Sequence, residues 1–266
     1  MAQTQKIYLG SHPVEKRYLG EHPILISGAF NETLSIEWLL VGGGASGGTG
    51  NSSGTKAAGG GGGAGRFVSS SSDIPYNASI SVVIGAGGTG KSNFPNTGAP
   101  GQNSTANIGG ILYTAPGGGY GGSGTATFNV GNNGGSGGSG GGGGQNSVSG
   151  AGGTGGTATN GTPLAGDGNN GASPGAGGGA GGTPTGKAWV DGITYAVGGG
   201  VNAANTTTAG CGSSGTTHPT PSANGQNGIF KLRYEGEPKA TGGTITQSGG
   251  YTYHTFTSNG TFTVTG

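Results

Sequence analysis

From Gly135 to Gly156 every third residue is glycine except Ser147, and glycine fills most of a second phase of the same period (Gly134, Gly137, Gly140, Gly143, Gly152, Gly155). A period of three belongs to the extended left-handed helix, with about 3 residues per turn and a rise of about 3.1 Å. Collagen needs only one glycine phase, kept over longer stretches and with abundant proline, and this segment has no proline. Two bare phases predict a different packing. Two edges of each helix approach neighbouring helices, and the third edge carries Ser, Thr or Asn.

Main-chain hydrogen bonding explains why this pattern constrains the fold. An extended glycine helix bonds nothing internally, so its N–H and C=O groups point outward and need partners on neighbours. Side chains normally keep such neighbours apart, and glycine does not. The opposing term is conformational entropy, about 1–2 kcal/mol per ordered residue and largest for glycine. Scattered pairing would not offset it. The helices must meet neighbours on many sides, and apolar strands must hold their ends.

Composition leaves order and disorder to be weighed. The chain carries 72 glycines and 12 prolines in 266 residues, a low-complexity signature. Disordered segments also tend to carry high net charge, whereas here the net charge is +1 and 7% of residues are charged. Between Ser92 and Gly186 the sole charged residue is Asp167. The expectation is an all-β/irregular fold, a bundle of polyglycine-II-type helices flanked by short β-strands and hairpins.

Three segments are expected. Residues 1–27 hold a tandem repeat of period ten, KIYLGSHPVE then KRYLGEHPIL, with Lys, Tyr, Leu, Gly, His and Pro recurring. Each copy predicts a short strand, a Gly-x-His-Pro turn and a second strand, hence a hairpin module for attachment. Residues 28–234 form the glycine-rich domain with strand islands. The first is TLSIEWLLV, whose Leu34/Ile36/Trp38/Leu40 alternation predicts one buried face; others are Arg66–Val68, Ile80–Ile84, Gly110–Tyr113, Ala188–Val197 and Ile229–Tyr234. Residues 235–266 are β-branched and aromatic with Gly and Asn turns, and predict a β-rich tail packing on or beside the first strand.

One string imitates an enzyme. Gly85-Ala86-Gly87-Gly88-Thr89-Gly90-Lys91-Ser92 matches the phosphate-binding loop G-x-x-x-x-G-K-[ST] and also contains G-x-G-x-x-G. Both motifs need a helix to follow, and NFPNTGAPGQN cannot sustain one. No strand ending in a magnesium-binding Asp follows; the nearest candidate, Ala188-Trp189-Val190-Asp191, is short and meets Gly192 at once. No catalytic set emerges elsewhere. His12, His22, His218 and His254 are scattered, Cys211 is alone, and Glu235 and Glu237 flank a turn glycine. No enzyme activity, cofactor or metal is expected. The scattered Lys and Arg give no footprint for nucleic acid, and no apolar run is long enough for membrane insertion.

Binding fits better than chemistry, because loops on a rigid scaffold carry recognition. Phe94, Asn96, Phe128 and His218 stand in stretches that break the glycine pattern; an aromatic beside Asn suits a sugar or an outer-membrane loop, and the alternative is that Phe94 and Phe128 plug the ends of the helix stack. Tyr8, Leu9, Tyr18 and Leu19 are the candidate docking residues of the N-terminal repeat.

IEWLLVGGGASGG, ISVVIGAGGTG, ILYTAPGGGYGG, IFKLRY and ATGGTITQSGGYTYHTFTSNGTFTVTG together resemble the glycine-rich structural proteins of tailed bacteriophages, as does the N-terminal KxYLG…P repeat. The composition and local period are similar to those of the tail-fibre adhesins of T-even-like phages. The resemblance implies a virion protein whose partners are other virion proteins and, at a fibre tip, a bacterial surface protein or glycan. It leaves open a capsid, collar or fibre decoration protein without receptor contact, and a homo-oligomer.

Overall fold

The computed structural model describes residues 6–9, 12–15, 17–19, 22–24, 33–51, 57–125, 131–146, 152–159, 179, 181–182 and 185–265. The chain divides into two units, Met1–Glu32 and Thr33–Gly266.

In the first unit each copy of the repeat makes one antiparallel pair. β1 (Lys6–Leu9) pairs with β2 (His12–Glu15), and β3 (Arg17–Leu19) with β4 (His22–Ile24). The registers correspond. Tyr8 stands opposite Pro13 and Tyr18 opposite Pro23; Leu9 stands opposite His12 and Leu19 opposite His22. Two strand pairs with one register follow from one decapeptide written twice, but His12-Pro13 and His22-Pro23, expected in the turns, stand on β2 and β4 instead.

Among the described residues the second unit is built on two five-stranded antiparallel sheets. Its strands are β5 (Thr33–Val41), β6 (Phe67–Pro75), β7 (Ser79–Val83), β8 (Ser104–Ile108), β9 (Ile111–Ala115), β10 (Lys187–Ala188), β11 (Thr194–Tyr195), β12 (Ile229–Glu235), β13 (Ala240–Thr241), β14 (Thr244–Ser248), β15 (Tyr251–Phe256) and β16 (Gly260–Val264). One sheet runs β14-β15-β12-β5-β6 and the other β13-β16-β7-β8-β9. Among the described residues every regular element is a strand, so the fold is all-β.

Leu34, Ile36, Trp38 and Leu40 of β5 share one core with Ile80, Val82, Phe230, Leu232, Phe262 and Val264. The C-terminal strands belong to both sheets. β15 pairs with β12, which pairs with β5, while β16 pairs with β7 across the core. The other face of β5 is buried at one end as well. Leu39 and Val41 lie under Trp189 and Tyr195, from the segment carrying the β10–β11 pair.

The glycine-rich segments continue the strands. β5 runs into residues 42–51, β7 into 84–92 and β9 into 116–125, while residues 57–66 lead into β6, 96–103 into β8 and 222–228 into β12. Their main chains bond laterally, with a period of three. Gly42, Ala45 and Gly48 donate to Arg66, Gly63 and Gly60; Gly43, Ser46 and Thr49 donate to Gln102, Ala99 and Asn96; Gly44 donates to Gln226. Segment 57–66 in turn donates to 116–122 (Arg66, Gly63 and Gly60 to Pro116, Gly119 and Gly122) and to 210–216. It also accepts from Ser139, Gly142 and Gln145.

Glycine is required there by space. A Cβ on Gly60 would fall well inside contact distance of the Gly142 carbonyl, and one on Gly48 would do the same at Gly122. A hydrogen bond contributes about 0.5–1.5 kcal/mol net against about 1–2 kcal/mol to order a residue. Lateral bonds alone therefore fall short of the entropy cost. The surplus comes from the sandwich, where each large apolar side chain contributes about 1.5–3 kcal/mol on burial, and where six segments are anchored by strands.

At the solvent edge, asparagine side chains accept from main-chain amides. Segment 222–228 runs antiparallel to 84–92, with Ser222, Gly225 and Gly228 donating to Lys91, Gly88 and Gly85. The Asn224 and Asn227 carboxamides accept from Gly90 (2.7 Å) and Gly87 (2.9 Å). Asn133 repeats the device: it accepts from the Thr154 N–H while Gly134 donates to the Thr154 carbonyl.

Candidate functional site

The strands carry the chain outward from the sandwich, so the far ends of the glycine segments gather at one place. Thr49 is the hub. Its N–H donates to the Asn96 carbonyl (2.8 Å), its hydroxyl donates to the Asn93 carbonyl (2.7 Å), and the Asn96 N–H donates back to that hydroxyl (2.9 Å). Thr49 also bridges in parallel to Thr216, whose hydroxyl donates to the Thr220 carbonyl (2.6 Å). These bonds fold residues 92–96 and 216–221 into adjoining loops. The Phe94 and His218 rings meet edge to face, with centroids 4.7 Å apart and planes at 77°.

Three of the four predicted binding residues, Phe94, Asn96 and His218, thus come together. All three are half-buried, ringed by exposed Ser92, Asn93, Pro95, Pro219, Thr220 and Pro221. Phe128, the fourth, lies outside the described residues. Tyr8, Leu9, Tyr18 and Leu19 lie on β1 and β3. Thr49, at the cluster, stands about 25 Å along the chain beyond Val41, at about 3.1 Å per extended residue. Thr33, where the chain enters this unit, is at the opposite end of β5. An aromatic pair edged with amides and hydroxyls can stack and hydrogen-bond. It offers no nucleophile–base pair.

The phosphate-loop string is committed to the fold. Its amides are used by the chain: Gly85 donates to Ser104 Oγ, Gly87 to Asn227, Gly88 to the Gly44 carbonyl, Gly90 to Asn224 and Lys91 to Ser222 Oγ. A phosphate cradle needs those N–H groups free. Asp191, weighed as a magnesium ligand, instead accepts from Lys231 Nζ (2.6 Å) and from the Tyr195 hydroxyl (2.7 Å). Burial opposes the charge of its carboxylate, but those two bonds, the Ile193 amide and the Lys231 charge hold it below the usual range. Burial, and then the Asp191 carboxylate, push the Tyr195 phenol far up.

The Lys231 ammonium also lies 5.8 Å from the Trp189 and Tyr253 ring centroids. The cluster fastens the β10–β11 segment onto the outer face of the sheet, a role the sequence reading missed. The available signal was Asp191 standing as the one charged residue inside the mostly apolar island Ala188–Val197.

Cys211 is buried, with its Sγ 3.0 Å from the Thr208 hydroxyl and accepting from the Val197 N–H. Burial pushes its thiol up, which keeps it protonated. Glu235 and Glu237 are exposed and separately engaged, by the Tyr251 hydroxyl (3.4 Å) and by Gln247 (2.9 Å). Among the described residues no group of three His, Cys, Asp or Glu side chains is placed to hold a metal ion, and no helix is long and apolar enough to cross a membrane.

Fold and site together define an all-β protein whose glycine-rich segments extend a sandwich and end in a cluster of loops. The chain belongs to the glycine-rich domain family, whose profile matches residues 27–261. No curated protein matches the chain in sequence.

Proposed function

We propose that the protein is a non-enzymatic virion component of a tailed bacteriophage, a tail-fibre-tip adhesin whose glycine-rich region is a bundle of polyglycine-II-type helices. The three-residue rotation of hydrogen-bond partners along residues 42–49 supports the helix reading. The adhesin reading rests on one observation. Phe94, Asn96 and His218 gather at the end of the glycine segments opposite to the end at which the chain enters the unit. A rigid stalk with a polar-aromatic tip suits contact with a bacterial surface protein or glycan. The N-terminal repeat, through Tyr8, Leu9, Tyr18 and Leu19, is the docking element toward other virion proteins.

The test is binding of the labelled, purified chain to cells that the parent phage infects, with the Phe94→Ala/His218→Ala double variant alongside. Saturable binding that competes with infection and falls at least about tenfold in the variant, the loss of about 1.4 kcal/mol, supports the reading. Binding to particles but not to cells would replace it with a decoration protein.

A further inference from the structure

We propose that β6 is an acceptor edge for an extended segment of another protein, one that sets a basic side chain four residues from an aromatic one. This goes beyond the receptor reading and does not depend on it. Among the described residues β6 closes its sheet and pairs with β5 alone, in unbroken register from Thr33 opposite Pro75 to Val41 opposite Phe67. In an antiparallel pair alternate residues turn their N–H and C=O toward the partner, so every second residue of β6 aims both groups outward. Among the described residues, no N–H or C=O of Phe67–Ile74 bonds to a main-chain group beyond β5.

Natural sheets guard such edges with charge, proline or bulges. Ser69, Ser70, Ser71 and Ser72 carry none of these; the first charge is Asp73 and the proline is the last residue. On the outer face Ser69, Ser71 and Asp73 are exposed.

Two cavities flank the strand. One, of about 610 Å³, is lined by Glu37, Asp73, Glu235, Arg233, Lys239 and Tyr251 among others. Three carboxylates there face two cations, and Arg233 is already spoken for, 2.7 Å from Glu37 and 4.1 Å from the Tyr251 ring centroid. That balance favours a basic side chain. The second cavity, of about 310 Å³, is lined by Phe67, Ser69, Trp189 and Val190, with Lys187 and with Glu37, which borders both cavities. Its ring walls favour an aromatic or aliphatic group. Ser69 and Asp73 are four residues apart, about 13 Å along a strand. Residues i and i+4 of an added strand lie on one face at that spacing, so a single segment pairing with β6 reaches both cavities.

The test uses the full chain and a fluorescein-labelled nonapeptide of threonines bearing one phenylalanine and, four positions on, one lysine. Fluorescence anisotropy reads binding, and amide shifts of isotope-labelled protein locate it. Saturable binding that shifts the β6 amides is expected. It should weaken about tenfold in Asp73→Asn and with a glutamate-for-lysine peptide, and be lost in Ser71→Lys, whose thermal midpoint should match the parent. No saturation by 5 mM peptide, equal binding of the glutamate peptide, or full binding by Ser71→Lys would overturn the proposal.

Discussion

Gly60→Ala tests most sharply why glycine is needed. Gly60 donates to the Gly122 carbonyl (2.8 Å) and accepts from the Gly48 N–H (2.9 Å). An added Cβ would strike the Gly142 carbonyl group, which is backbone and cannot rotate away. Relief requires two segments to separate. Losing the two bonds costs about 1 kcal/mol each, and residual overpacking adds about 1–3 kcal/mol. The smaller entropy of the unfolded alanine chain returns about 0.4–1 kcal/mol. The net expectation is a destabilisation of about 2–4 kcal/mol, near 10 °C in thermal midpoint for a unit of this size. Ala86→Ser, at an exposed position of an edge segment, is the control and should stay within about 0.5 kcal/mol. Denaturant unfolding and calorimetry of the two variants give the comparison. A Gly60→Ala protein as stable as its parent would refute close backbone approach as the reason for glycine.

Other outcomes follow from the same structure. Asn227→Ala should cost about 0.5–1 kcal/mol, water replacing the lost acceptor of the Gly87 amide at the solvent edge, with faster hydrogen exchange at Gly87. His254 is fully buried; its Nδ1–H donates to the Gly242 carbonyl (2.7 Å) and its Nε2 accepts from the Tyr234 hydroxyl (3.0 Å). Burial is the main cause holding its pKa below 6.5, and the Gly242 bond opposes it. The unfolded chain then binds the proton first, so stability should fall as pH drops below about 6.5 and level off below the folded value. Equilibrium unfolding across that window should show the slope in the parent and lose it in His254→Gln. Lys231→Met leaves the Asp191 carboxylate with one hydroxyl and one amide and should destabilise by about 2–3 kcal/mol, read by tryptophan fluorescence at Trp189.

The parts legible in the sequence were those set by local pattern. The Leu34/Ile36/Trp38/Leu40 alternation marks β5 to the residue, and the decapeptide repeat marks two hairpins. The missing helix after Ser92 disposes of the phosphate loop before its amides are traced. What was hidden depends on distant partners. β8 reads Ser-Thr-Ala-Asn-Ile, with little strand signal, because its inward positions Ser104 and Ala106 are small and packed. Leu39 and Val41 look like the solvent face of β5 until residues 187–195 cover them. Asn224 and Asn227 read as turn formers, yet their spacing of three matches the period of the segment they cap. Phe94 and His218 were singled out separately, and only Thr49, bonded to one loop and bridged to the other, shows that they touch.

The central claim is that lateral main-chain bonding makes a region poor in apolar side chains solid. Hydrogen exchange of residues 42–49 and 57–66, resolved by amide, measures it directly. Slow exchange is expected at Gly43, Gly48, Gly60 and Gly63, with opening free energies close to those of β5 and β12. Exchange of those four amides at the rate of an unstructured peptide, while β5 and β12 stay protected, would contradict it.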